Sequence, residues 1–306
     1  MHVTPCGLRP PRWVSPEVPE LPEVQAIADF LHSRLAGSRV ARLELASLAA
    51  LKTVAPPLGD LEGSRIESVS RRGKYLLVAT DDASLVLHLA RAGWLRWRDD
   101  PPRDAARPGR GPLALRLVAV DSDGEVVGGF DVTEAGTKKG LAIYAVRDPL
   151  EVPGIARLGP EPLDDSFSAD ALAAILADAG AAQVKGVLRD QSRIAGIGNA
   201  YSDEILHAAR ISPFAAAHSV DPRALHAALR SVLEQACDEA RDQDIARLKA
   251  EKRAAMRVHG RTGEPCPACG DVVREVAFAD RSLNYCATCQ TGGRALADRR
   301  MSRLLR

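Results

Sequence analysis

The longest uninterrupted aliphatic stretch in this 306-residue chain is seven residues, Ala171 to Ala177. A membrane-spanning helix needs about 20 apolar residues, so the sequence offers none. The first 18 residues, MHVTPCGLRPPRWVSPEV, lack the apolar run of a secretion signal. Cysteine is sparse, six in all, whereas a disulfide-stapled secreted domain is usually smaller and denser in cysteine. No internal repeat is present, and the net charge of +1 does not by itself mark a nucleic-acid binder. The 46% hydrophobic and 26% charged fractions exclude a disordered chain or a collagen-like fibre. The length suits about two domains. Lysine is also scarce, 7 against 34 arginines, which with the abundant alanine points to a GC-rich genome.

Charge is unevenly placed. Residues 241–306 carry 14 Lys and Arg against 8 Asp and Glu, whereas residues 1–240 carry 27 against 32. A basic end on an acidic body is suited to docking polyanions, and equally to a solubilising tail. The proline-rich residues 1–18 read as a leader without structure. Pro22 opens a helix, where its missing N–H costs nothing, and Val24, Ile27, Ala28, Leu31 and Leu35 fall on one face, with Gly37 placed to end it. Residues 38–150 read as strands: YLLVAT and SLVLHL around Asp81–Asp82, LALRLVAV and EVVGGF around Asp121–Gly124. Strands beside one helix predict a β-rich sandwich or barrel. The four prolines of residues 149–162 mark a hinge. Helices follow: one capped by Ser168 and stopped at Gly180, one after GIGN, and one opened by Asp221–Pro222.

Four of the cysteines form two pairs, Cys266-x2-Cys269 and Cys286-x2-Cys289, separated by 16 residues. This is the spacing of a four-cysteine zinc site. Two such knuckles complete a tetrahedron with no open position, so one structural zinc ion is expected, not a catalytic one. A module of about 30 residues buries little core, and the metal would supply most of its folding energy. Cys6 and Cys237 stand alone and read as inert. Just before the second of these helices, Gly196, Gly198 and Asn199 form a glycine-rich turn feeding a helix N-terminus, which suits an anion; an ordinary tight turn has the same signature. His88 reads as a packed strand residue.

PELPEV (19–24), RRGKYLL (71–77), DQSRIAGIGNAY (190–201), VHGRTGEPCPACG (258–270) and NYCATCQ (284–290) occur in this order. Together they resemble the formamidopyrimidine-DNA glycosylase and endonuclease VIII family over nearly all of residues 19–290. The resemblance implies an α+β multidomain fold. A leader would span 1–18, an N-terminal catalytic β-sandwich with a leading helix 19–150, a helix–two-turns–helix DNA-binding domain 160–245, a four-cysteine zinc finger 254–291 and a basic tail 292–306. It implies a bifunctional glycosylase and abasic-site lyase of base-excision repair, acting on double-stranded DNA with a damaged base or abasic site. Such a protein would be a monomer in the bacterial cytoplasm, associated with the nucleoid and with no membrane partner. Pro19 would be the nucleophile, attacking the deoxyribose C1′ to form a Schiff base that β- and δ-elimination resolve. Glu20 would move protons at the sugar or base, Glu23 would position the terminus, and Lys74 would be a second catalytic cation. Arg91, Lys185, Asn199 and Arg281 would contact DNA.

Two departures shape the expectation. Pro19 is internal, so its nitrogen is an amide. Val18 stands where the family has its initiator Met, and a GTG start codon reads as Val internally, so the active protein is expected to begin at codon 18 and lose that Met. Arg91, in HLARAGW, replaces the Met that the family inserts into flipped DNA, and TEAGTKKG (133–140), with Lys138 and Lys139, replaces its arginine-rich loop; the lesion preference therefore does not carry over. The alternative function is a paralogue of the same fold that binds damaged DNA without cutting it. A zinc-ribbon adaptor would leave PELPEV and Lys74 unexplained.

Overall fold

The structure is a computed structural model that describes residues 18–109, 111–135, 139–241, 243–278 and 282–297. Helix α1 (Leu21–Leu35) starts with Pro at its first turn, and its buried Val24, Ile27, Leu31 and Leu35 follow the apolar stripe of the sequence. Each such side chain contributes about 2 kcal/mol on burial, so packing holds this helix more than any cap.

The stripe enters a core shared by two four-stranded antiparallel sheets. The first sheet orders β1 (Arg39–Leu45), β6 (Leu113–Val120), β7 (Val126–Glu134) and β5 (Gly93–Arg98) as β1-β6-β7-β5. The second orders β2 (Ile66–Arg72), β3 (Tyr75–Thr80), β4 (Ser84–His88) and β8 (Ala142–Val146) as β2-β3-β4-β8. Leu117, Phe130 and Val132 from one sheet meet Leu76, Val78 and Leu87 from the other. The expected sandwich is present, and both expected hairpins pair, β3 with β4 in unbroken register and β6 with β7 across two register shifts.

The proline-rich segment is not an open hinge. It forms a one-turn 3-10 helix at Pro149–Glu151 and α2 (Pro153–Ala156), and Val152 and Ile155 pack on Val86 and Val146 of β4 and β8. Two of its four prolines, Pro149 and Pro153, occupy first-turn positions there, which proline tolerates.

The helical domain contains α3 (Ala169–Ala179), α4 (Val184–Arg189), α5 (Asn199–Ala208) and α6 (Pro222–Arg241). Ser168 Oγ accepts the Ala171 N–H, and Gly180 ends α3 at φ 56°, as expected. Leu225, Leu229 and Leu233 of α6 fill the core with Ile205 and Leu206 of α5. A helix that the periodicity did not reveal, α7 (Leu248–Ala255), follows α6. Its Leu248, with Ile245 just before it, is buried in the sandwich core, and Met256 just after it joins the helical core. The linker into the cysteine module thus ties the two domains together. The module itself is a hairpin of β9 (Val273–Ala277) and β10 (Ser282–Cys286) closed by α8 (Ala287–Thr291).

Candidate active site

Pro19 and Glu20 lie buried at the start of α1, where the sandwich meets the helical domain. The Leu21 N–H donates to the Gly196 carbonyl at 3.1 Å. This fixes the entrance of α1 against the glycine turn before α5. The Glu20 carboxylate then caps α5 from outside: it accepts the Gly198 N–H at 2.5 Å and the Ala200 N–H at 2.9 Å. The anion expected at this helix N-terminus is therefore, in the structure, a side chain of the same chain. Glycine is required for the fit, because a Cβ on Gly198 would stand 2.4 Å from Glu20 Cδ. Burial alone would raise the Glu20 carboxyl; the Lys252 and Lys74 charges and the Ala200 N–H outweigh it and hold the pKa below the ordinary carboxylate value.

Glu23 is buried one turn further on. It accepts the Glu20 N–H at 2.8 Å, the Tyr201 hydroxyl at 2.7 Å and the Lys252 ammonium at 2.7 Å. These three bonds join the start of α1 to α5 and α7.

Lys74 sits in the tight turn between β2 and β3. Burial lowers its pKa, Glu20 works against that, and Lys252 and Arg189 add to it. The turn is clamped by Glu161, which accepts Arg71 at 2.5 Å, Arg72 at 2.7 Å and the Gly73 N–H at 2.6 Å. Lys74 lines an open cleft with Tyr75, His88, Arg157 and Gln191. His88 stacks at 4.6 Å on Tyr75, and burial together with the Lys74 charge pushes its pKa down to about 4. It is half-buried in the wall of that cleft, which only partly matches the packed strand residue expected.

Of the described DNA-contact candidates, Lys185 and Asn199 lie together and Arg91 stands in a separate turn. Arg91 is exposed in the turn after β4, beside Ala90 at φ 51°. Lys185 is only 6% exposed; its ammonium bonds to Asp203 and Ser202 at 2.7 Å and to the Asn199 carbonyl at 3.1 Å. Burial lowers its pKa, against the pull of Asp203. Asn199 donates its amide to the Ser282 carbonyl at 2.8 Å, so it ties α5 to the cysteine module. Arg281 and Lys138 lie outside the described residues, as do Cys6 and the last nine residues of the basic tail. Cys237 is half-buried, and burial pushes its thiol up to about 11, which agrees with an inert residue.

The four paired cysteines converge. Their Sγ atoms all lie within 4.8 Å of one another. A tetrahedral zinc–thiolate site, with bonds of about 2.3 Å, spaces its sulfurs about 3.8 Å apart; Cys266 and Cys289 stand at 3.9 Å, Cys269 and Cys286 at 3.4 Å. The donor set and spacing fit a structural metal. The module is fastened to α5 by an acidic pair. Glu204 accepts the backbone N–H groups of Arg257, Val258 and His259, and Asp203 accepts His259 Nδ1 and the Asn284 N–H.

Three family models match in chain order: the formamidopyrimidine-DNA glycosylase N-terminal domain over 18–126, its H2TH domain over 158–246, and the zinc finger found in FPG and IleRS over 263–292. The formamidopyrimidine-DNA glycosylase of Symbiobacterium thermophilum is 34% identical over 302 residues, covering 92% of this chain and 93% of that protein. The chain belongs to the formamidopyrimidine-DNA glycosylase family. It is thus a DNA glycosylase relative of base-excision repair, with an H2TH domain and a zinc-finger module. The MutM (Fpg) protein of Thermus thermophilus superposes with a TM-score of 0.72 at 31% identity, over 89% of this chain and 98% of that one. The Lactococcus lactis enzyme bound to DNA containing an abasic site superposes with a TM-score of 0.74 at 26% identity, over 89% and 99%. A Mycobacterium tuberculosis protein described as an uncharacterized formamidopyrimidine-DNA glycosylase-like protein is 59% identical over 152 residues, covering 49% of this chain and 94% of that protein. Within this glycosylase fold, the sequence motifs did not disclose Glu161 or Lys252, and Tyr201 ends the motif DQSRIAGIGNAY without that motif showing what its hydroxyl bonds to. Lys252 had a signal of a kind: LKAEKRAA is rich in strong helix formers, which predicts a helix without saying which lysine turns inward. No helix among the described residues is long and apolar enough to cross a membrane.

Proposed function

We propose that this chain excises damaged, oxidised bases from double-stranded DNA with Pro19 as nucleophile and then cuts the strand at the abasic site. The observation that carries the reading is the junction at the start of α1. Pro19 is buried beside two carboxylates, each held by donors from another domain, with Lys74 electrostatically coupled to Glu20. A terminal amine has an ordinary pKa of about 8, so a useful fraction is neutral near pH 7. Its lone pair bonds to C1′ as the C1′–N bond breaks and the base departs with that electron pair. The attacking nitrogen, now an ammonium, gives its proton to Glu20; the C1′–O4′ bond then breaks with its electron pair on O4′, which takes up that proton, and the nitrogen's lone pair closes the iminium. That cation acidifies the C2′ hydrogen; loss of this proton expels the 3′ phosphate, and a second elimination expels the 5′ phosphate.

Glu20, ionised and hydrogen-bonded, acts as a proton acceptor and electrostatic partner, not as a standing acid. Lys74, from the cleft side, supplies a cation for a phosphate or the departing base. Arg91, Lys185, Asn199 and Arg281 form the DNA-binding set, with Lys185 and Asn199 setting the backbone of the α5 turn against the strand. The four cysteines hold one structural zinc, which keeps the module folded on α5. The protein works as a monomer on the bacterial nucleoid.

This chemistry needs the Pro19 nitrogen uncovered, and the active form therefore begins at Pro19. A second reading has one observation in its favour. In a chain that retains residue 18, the Val18 carbonyl is attached to that nitrogen and is itself held by Lys252 at 3.2 Å. Such a form reads damaged DNA without cutting it. Borohydride reduction separates the two. The form beginning at Pro19, mixed with a duplex carrying one abasic site, is expected to yield a covalent adduct, and Pro19→Gly a much weaker one. Binding without an adduct would leave only the reader. Intact-mass analysis of native protein reports which terminus exists, and a panel of single-lesion duplexes reports the base excised.

A further inference from the structure

Helix α7 presents an anomaly. Half of its sequence, LKAEKRAA, is charged, yet Lys252 is 7% exposed, as buried as an apolar core residue. Buried lysines are costly unless paired, so burial at this place needs a reason. Docking of the helix does not supply one. Ile245 and Leu248 already anchor it in the sandwich core, and the Lys249 ammonium lies 4.4 Å from the centre of the Trp94 ring. Space filling does not supply one either, because a cavity lined by Glu23, Tyr201, Val232, Lys252 and Met256 remains between α6 and α7.

What Lys252 does touch is the start of α1. Its ammonium stands 2.7 Å from Glu23 Oε2 and 3.2 Å from the Val18 carbonyl oxygen, with the Tyr201 ring centre at 4.8 Å. Val18 is bonded directly to the Pro19 nitrogen. The same Glu23 oxygen accepts the Glu20 N–H. One cation therefore grips the atoms on both sides of Pro19: the carbonyl before it and, through Glu23, the amide after it.

We infer that Lys252 is a positioning residue for the Pro19 nitrogen, carried there by the linker helix α7 and acting through Glu23. The inference rests on the reading of Pro19 as nucleophile. In the form that begins at Pro19, the Lys252–Glu23 pair is the part of the grip that remains, and it holds the first turn of α1 so that the nitrogen has one direction of approach to C1′. Orientation of a reacting atom is worth far more in rate than in affinity. The effect should therefore appear in the chemical step and not in DNA binding.

Single-turnover borohydride trapping tests this, with the whole chain from Pro19 onward at saturating concentration over a duplex bearing one abasic site. Binding of the same duplex without borohydride is measured in parallel. Lys252→Met is expected to slow adduct formation at least tenfold while the Kd moves less than threefold, and Lys252→Arg to restore the rate to within threefold of the parent. Lys252→Gln, which keeps an N–H donor at this position, covers the case in which Met is not tolerated and should show the same split. Wild-type rates in Lys252→Met or Lys252→Gln overturn the inference. So does a rate loss that Lys252→Arg fails to rescue, or one that follows affinity and melting temperature in parallel. A parent protein that forms no adduct overturns the Pro19 reading and this inference with it; a parent that traps beside variants that trap equally well overturns this inference alone.

Discussion

The Glu20 carboxylate and the Ala200 amide, 180 residues apart in the chain, lie 2.9 Å apart at the meeting of α1 and α5. A helix N-terminus attracts an anion through its unpaired N–H groups and its dipole. Here that anion is supplied by the residue next to Pro19, so the orientation of the helical domain and the placement of the candidate nucleophile are one structural fact. Any change that moves α5 against the sandwich also moves Glu20.

Gly198→Ala tests that coupling most directly. The added Cβ would stand 2.4 Å from Glu20 Cδ, too close for either to stay. Overpacking of this kind typically costs about 1–3 kcal/mol. Trapping and base excision should fall by about a hundredfold, in the range that a misplaced catalytic group costs, with the lowered melting point seen by calorimetry. Parent-like excision in this variant would show that the position of Glu20 is immaterial.

Acid stability reports on a second carboxylate, Glu161. Burial alone would raise its carboxyl, but Arg71, the Gly73 N–H and Arg72 hold it below its ordinary value of 4.5. A group with a depressed folded pKa contributes stability above the unfolded value and loses it as pH falls through the folded one. The parent should therefore lose stability progressively below about pH 4.5. In Glu161→Gln that acid limb should flatten, with about 2 kcal/mol less stability at pH 7, because two arginines and an N–H lose a charged acceptor. Urea titrations at pH 3.5 and 7 measure both. An unchanged acid limb would mean that Glu161 is not the clamp of the Lys74 turn.

Much of this was legible in the sequence, and what was missed has a common cause. The sandwich hairpins, the Ser168 cap, the Gly180 stop and the four-cysteine cluster are local signals, set by spacing within one segment. Pro19, Glu20, Glu23 and Lys74 are candidates through the order of short motifs, and the fold brings the charges of Glu20 and Glu23 to bear on Lys74. Glu161 and Lys252 act across domain boundaries, and no periodicity records which polar residue of an ordinary-looking segment will turn inward; Tyr201 lies in a quoted motif, but its bond to Glu23 spans 178 residues. The proline-rich segment misled in the opposite sense: proline at a helix first turn and proline in a hinge look alike until Val152 and Ile155 are seen in their pocket. Lys185 shows a further limit. A basic residue in a binding motif suggests an outward charge, yet its ammonium is bound to Asp203.

Removal of the metal should separate folding of the cysteine module from folding of the rest. One zinc per chain is expected by elemental analysis. Chelation, or Cys266→Ser, should unfold the module, because metal binding and folding are one equilibrium in so small a unit. The Glu204 and Asp203 contacts to residues 257–259 would then be lost, and affinity for abasic-site duplex should fall at least tenfold while the sandwich keeps its strands by circular dichroism. Full affinity in the metal-free protein would remove the module from the DNA interface.

Arg91 distinguishes two ways of holding opened DNA. It is exposed beside the positive-φ Ala90, in the turn where the sequence motif places a wedge. As a stacking wedge, its guanidinium plane occupies the gap left by a flipped base, and sequence-independent phosphate contacts lie elsewhere. As a phosphate contact, it would release a counterion on binding. Arg91→Ala should leave the melting point within the small range of surface substitutions, about 0.5 kcal/mol, and slow excision from a lesion-bearing duplex several-fold. The salt dependence then decides. Loss of a phosphate contact lowers the slope of log affinity against log salt by about one, whereas loss of a stacking wedge leaves it unchanged. The expected result is an unchanged slope with weaker discrimination between damaged and intact duplex. A slope lower by one, with discrimination intact, would make Arg91 a backbone contact and require another residue to fill the gap.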